Sequence, residues 1–363
     1  MRKRSFCFVL LALVGLAATW HWAFSDHEPR HQGKPISYWV DRACEHGLDY
    51  RQQIIEIGPP VVPYLIKKLT MQDDPFRDAV NNLHHHLPEW LQQRAPYVSS
   101  SAMVRWRAAW ALSWLGSNAA PAAASLAKEI SDPNRAEWST ALALRAIGPE
   151  AKIAVPALHS ALTFTNQTPG FRTQVAGAIW SIAKDTNLVL NVCTNALTTG
   201  RADVPAAWIL SDMGPAAMDT APLLLQVLQD TNRSERLRST AAWALGSMRL
   251  GAPDIFDALV ANTGNELPLI RIYSAAALWK MAGKCPSNAV PVIVEGILAL
   301  GQSDYQEGKE SFVQFVEGCQ LDVTGSVPFL NDLLRDRSPL ISQAASNALE
   351  IICAQSAAGT PSK

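Results

Sequence analysis

The sequence predicts an all-α fold, an α-α superhelix of about eight or nine helix-turn-helix repeats. Three observations predict it. A nine-residue stretch rich in Ala and Leu recurs at a nearly constant period. A short turn and a proline follow each copy and open a second apolar run. Within each copy the apolar positions fall on one helical face.

The repeat is plainest at Ala108-Ala-Trp-Ala-Leu-Ser-Trp-Leu-Gly116. Further copies end at Gly148, Ala183, Gly214, Arg249 and Ala282, so successive ends are 32, 35, 31, 35 and 33 residues apart. Weaker copies end near Gly58, Gly318 and Cys353. A lone helix pair cannot bury two apolar faces, but stacked pairs can. Stacking also lets 363 residues share one lengthening core without splitting into ordinary domains. Pro121, Pro156, Pro222, Pro291 and Pro328 open the second helices, where a missing N–H would have no partner. Glycine closing the first helix predicts a left-handed cap.

The elements follow in order. Residues 1–25 read as a signal anchor or signal peptide: Arg2, Lys3 and Arg4 precede an apolar run from Phe6 to Phe24 interrupted at Thr19 and His21. Uncut, that run just suffices to cross a bilayer, with Trp20 and Trp22 at the far interface. Ala23 and Ser25 supply the small residues that cleavage would need. In either case the body is predicted to lie outside the cytoplasm, membrane-tethered or secreted. Residues 26–49 read as a polar linker, to residue 35, and a capping helix with Ile36, Trp39, Val40 and Ala43 on one face. The repeats span 50–353. An insertion at 71–103 is predicted to add a helix carrying Leu83, Leu87, Trp90 and Leu91. The small, polar tail 354–363 is predicted to be disordered.

Thirty-one basic residues against 32 acidic ones leave a net charge of −1, which supplies no electrostatic track for nucleic acid. Six cysteines contain no CxxC pair. Cys285, Cys319 and Cys353 are 34 residues apart, one repeat period. Matching places on stacked repeats lie about 10 Å apart, beyond the ~7 Å reach of a disulfide, so small buried residues are expected. His84-His85-His86 point in different directions on a helix and have no HxxxH partner, so a solvated face is expected rather than a metal site. His159 reads as a partly buried polar residue. No phosphate loop, dinucleotide fingerprint, HExxH or GxSxG is present. No catalytic residue, cofactor or metal ligand is therefore predicted.

These motifs resemble the HEAT-repeat family, and more loosely the short HEAT-like repeats of bilin lyases. The resemblance covers roughly residues 50–353, with Asp132 and Arg135, Asp230 and Arg233, and Asp336 and Arg337 matching an Asp that ends one repeat and an Arg that opens the next. Gly33-Lys-Pro-Ile-Ser-Tyr-Trp-Val40 is similar to the lead segment of bacterial membrane-anchored HEAT proteins. The resemblance implies a HEAT/armadillo-type solenoid and a non-catalytic scaffold that binds another protein. A lyase-like enzyme or accessory subunit, or a structural spacer in an envelope complex, are the alternatives.

Tryptophan placement supplies the candidate site. With the copy numbered one to nine, positions one, four, five and eight form the core stripe, and position three lies nearly opposite with six and seven beside it. Trp110, Trp208 and Trp243 occupy position three, Trp180 and Trp279 position six, and Trp114 position seven. Two readings stay open: rings filling clefts between successive first helices, or an aromatic ridge that binds a protein partner.

Overall fold

Proline and glycine mark most helix boundaries, as their backbone preferences require. The computed structural model describes residues 29–46, 48–92, 99–165 and 167–282, with isolated positions at 331, 334, 335, 342, 346, 349 and 350. The predicted membrane segment, the repeat copies near Gly318 and Cys353, Cys285, Cys319 and the tail lie outside these residues. Among the described residues, no helix is long and apolar enough to cross a membrane. The described residues are all-α apart from one two-stranded hairpin. The chain forms two compact units, one up to Ala122 and one from Ala123 onward.

In the first unit the predicted linker is partly ordered. Strands β1 (Arg30–His31) and β2 (Lys34–Pro35) pair antiparallel, Arg30 opposite Pro35. The turn places Gln32 and Gly33 at φ 49° and 75°. Helix α1 (Ile36–His46) then buries Ile36, Trp39, Val40 and Ala43, and the Trp39 indole donates to the His31 carbonyl at 3.1 Å. Next come α2 (Leu48–Ile57), a 3-10 turn at Pro59–Val61, and α3 (Val62–Leu69).

Within 71–103 the chain forms α4 (Pro75–His86) and the single turn α5 (Glu89–Gln92). Asp74 caps α4 by accepting from the Phe76 and Arg77 amides. Pro88 holds Leu87 in an extended conformation, φ −70° and ψ 147°, and this ends the helix. The predicted helix is thus divided in two, and Leu83 and Trp90 are 62% and 61% exposed. Polar contacts fasten the segment to α6 (Ser101–Trp114). The Asp74 amide donates to Ser101 Oγ at 3.1 Å, the Ser101 amide donates to Asp78 at 2.8 Å, and Arg105 reaches Asp73 at 2.6 Å. Helices α1, α2 and α3 pack on α6, and a 3-10 segment, Gly116–Ala122, follows.

The second unit alternates first and second helices. The first helices are α8 (Trp138–Ile147), α10 (Pro169–Ala183), α12 (Asp203–Met213), α14 (Glu235–Met248) and α16 (Pro268–Ala282). The second helices are α7 (Ala123–Ser131), α9 (Val155–Ala161), α11 (Thr186–Thr199), α13 (Ala221–Gln229) and α15 (Pro253–Asn262). Each first helix packs on the next, α8 on α10, α10 on α12, α12 on α14 and α14 on α16. The predicted stripe is buried in them, as at Ala143, Leu144 and Ile147 or Ala241, Ala244, Leu245 and Met248. Position two is buried as well: Ala141, Ala176, Ala207 and Ala242 are all at 0%, because small residues there let neighbouring first helices approach.

The glycine caps differ from the prediction. Gly148 and Gly214 have φ 74° and 56° but ψ −143° and −129°, far from the left-handed helix and in a region that only glycine enters cheaply. Each starts a 3-10 segment, Gly148–Ala154 or Gly214–Thr220, whose Ala151 or Ala217 is buried at 0%. Where position nine is not glycine the exit changes. After Ala183, Lys184 adopts φ 58° and ψ 33°; at position nine itself, Arg249 adopts φ 54° and ψ 36°. No 3-10 segment follows either, and α11 starts under an Asp185 cap.

Candidate functional site

Positions three, six and seven face away from the stripe, and the rings placed there are half-buried. This holds for Trp110, Trp114, Trp180, Trp208 and Trp243. Trp279 lies on α16, but its side chain is outside the described residues. In the first unit the rings meet at a tilt along one helix: Trp106 lies 4.9 Å from Trp110, and Trp110 lies 5.3 Å from Trp114. In the second unit they meet across helices. Trp208 on α12 and Trp243 on α14 both set an edge against Tyr273 of α16, at 6.3 and 5.8 Å. Tyr273 is 9% exposed. Sequence reasoning passed over Trp106 and Tyr273, although each lies one helical turn before an outward position.

A glycine notch divides this face. Gly177 occupies position three of α10, where α12 and α14 carry Trp208 and Trp243. A side chain there would press on Ile209, whose Cδ1 lies 3.0 Å from an added Cβ, and on Arg145 Cδ at 3.4 Å. With that space open, Arg145 of α8 reaches past α10 and pairs with Asp212 of α12. Ser181 Oγ donates to the Arg145 carbonyl at 2.8 Å.

Two clefts flank the pair, and both Arg145 and Asp212 line each of them. One, of about 350 Å³, is completed by Leu142, Ala146, Trp180, Ser181 and Lys184. The other, of about 480 Å³, is completed by Gln174, Val204, Pro205, Trp208 and Arg236. The Lys184 ammonium lies 4.5 Å from the centre of the Trp180 ring. Gln174 Oε1 is buried without a hydrogen-bond partner. Further along the face, Lys280 Nζ lies 3.4 Å above the Trp243 ring and donates to Ser247 Oγ at 3.0 Å. Burial, then the charge of Arg249, brings the Lys280 amine down to about 8, while Asp212 pulls the other way.

His84, His85 and His86 form the last turn of α4, and among the described residues no group of three His, Cys, Asp or Glu is placed to hold a metal ion. His159 on α9 is half-buried. Cys193 is fully buried, and burial pushes its thiol up to about 12. Of the two described Asp/Arg pairs, Arg233 meets Asp230 at 3.4 Å. Arg135 turns to the buried Glu129 at 2.9 Å instead, while Asp132 caps the Asn134 amide.

No family model matches the chain, and no curated protein does. A solved structure described as an engineered protein is similar to it at 19% identity and a TM-score of 0.37, over 88% of this chain and 92% of that one. A likeness that distant carries no weight for fold or activity.

Proposed function

We propose that the chain is a HEAT-type α-α solenoid serving as a non-catalytic protein-binding scaffold, tethered through residues 1–25 with its body outside the cytoplasm. The stacking of first helices α8, α10, α12, α14 and α16 in chain order supports the solenoid. One observation carries the binding role: the first helices hold partly exposed tryptophans, of which Trp180 and Trp208 line clefts, and an amphipathic ring that is partly open is a typical anchor for a partner.

Trp208 and Trp243 also fasten helices through Tyr273, so Trp110 and Trp180 give the cleaner test. The full chain is purified from native membranes, as wild type and with Trp110→Ser and Trp180→Ser combined. A protein retained stoichiometrically by the wild type and lost by the variant, with the melting temperature shifted by only about 2–4 °C, is the expected outcome. A wild type that retains no protein, or a variant that retains it equally, overturns the proposal.

A further inference from the structure

We propose that the clefts flanking Arg145–Asp212 are adjoining parts of one docking site for an acidic peptide segment of the partner, one of whose carboxylates takes the place of Asp212 on Arg145. This rests on the scaffold reading and names the chemistry of its partner. Among the residues that line the two clefts of a chain with net charge −1, Arg145, Lys184 and Arg236 outnumber the acid Asp212. Overall neutrality conceals a local positive field, and a field of that sign selects acidic partners.

The geometry favours a peptide over a bare anion. Gln174 lines the larger cleft and its buried Oε1 has no hydrogen-bond partner, so a turn of the amide would offer this acceptor to a backbone N–H of an extended segment. Trp180 and Trp208 form apolar walls on either side of the notch at Gly177, suited to side chains that alternate with carboxylates. Arg145 is held for exchange. Its side chain is 24% exposed and that of Asp212 49%, and a pair so open to solvent is worth little, so an incoming carboxylate competes on near-equal terms. The guanidinium then receives a bidentate partner on a prepositioned arm.

The probes are fluorescent peptides of one length in which Leu alternates with Glu, Gln or Lys, titrated by anisotropy into the full chain in neutral detergent. The Glu peptide is expected to bind on the order of tenfold more tightly than the Gln peptide, with the difference shrinking as salt rises. Arg145→Gln and Arg236→Gln should each weaken it on the order of tenfold. Asp212→Asn should tighten it about two- to fivefold, because it removes the internal competitor. Mere packing at Asp212 predicts no gain. Absent binding of the Glu peptide, equal binding of the Gln or Lys peptide, or weakening by Asp212→Asn overturns the site. A native partner that co-purifies equally with wild type and Arg236→Gln also overturns the site while leaving the scaffold standing. Absence of any partner defeats the scaffold itself.

Discussion

Trp110 of α6 and Trp208 and Trp243 of α12 and α14 occupy the same repeat position yet meet different neighbours. On α6, Trp106, Trp110 and Trp114 stand at steps of four and meet one another at a tilt along the helix. On α12 and α14, Trp208 and Trp243 meet on Tyr273 of α16, so each contact fastens two elements distant in sequence. Position in a repeat fixes which way a ring points. What the neighbouring helix offers decides whether that ring is a surface ladder or a bolt.

The broadest test of this comparison is the apolar stripe that recurs in each region. Leu112 on α6 and Leu210 on α12 are both fully buried at position five. Replacing either by Ala is expected to cost ~2–5 kcal/mol in urea denaturation. A near-neutral result for one would mean the stripes of the two regions are not equivalent. Gly246→Ala should cost about 1–3 kcal/mol through overpacking, because an added Cβ would meet the backbone of Ala277, including its carbonyl oxygen at 2.8 Å. The near-UV circular dichroism of the Trp243–Tyr273 pair should weaken with it, since that approach brings the rings together. An unchanged signal would detach the rings from the α14–α16 contact.

Smaller still is the aromatic coupling itself. A double-mutant cycle on Trp243→Ala and Tyr273→Ala is expected to give about 0.5–1.5 kcal/mol of coupling. Strict additivity would reduce Tyr273 to a space-filler. The smallest effect is a pH dependence. The folded state holds Lys280 at about 8 against an ordinary 10.5, so between those values the unfolded chain carries the extra proton. Stability from this site therefore rises as pH climbs through that window, and the full penalty of burying the ammonium is present below it. Lys280→Met should stabilise the chain by ~1 kcal/mol at neutral pH after allowance for solvent screening, with the gain gone near pH 10.5. An equal gain at both pH values would trace the effect to packing, not charge.

The sequence by itself determined the period, the all-α class, the stripe at positions one, four, five and eight, and the outward placement of the tryptophans. Each follows from spacing along one helix, where a rotation of about 100° per residue converts order into direction. It also placed the helix at α1 and its buried face. It could not set the ψ of Gly148 and Gly214, because a glycine admits several positive-φ exits and the buried Ala151 and Ala217 of the following turns select one. It read the α4–α5 insertion as one helix carrying Leu83, Leu87, Trp90 and Leu91, whereas Pro88 divides it and Asp74, Asp78 and Arg105 hold it by polar contacts. Only the tertiary structure joined Arg145 to Asp212, 67 residues away, across the gap left by Gly177. That pairing depends on how three helices lie side by side, and no periodicity within one of them encodes it.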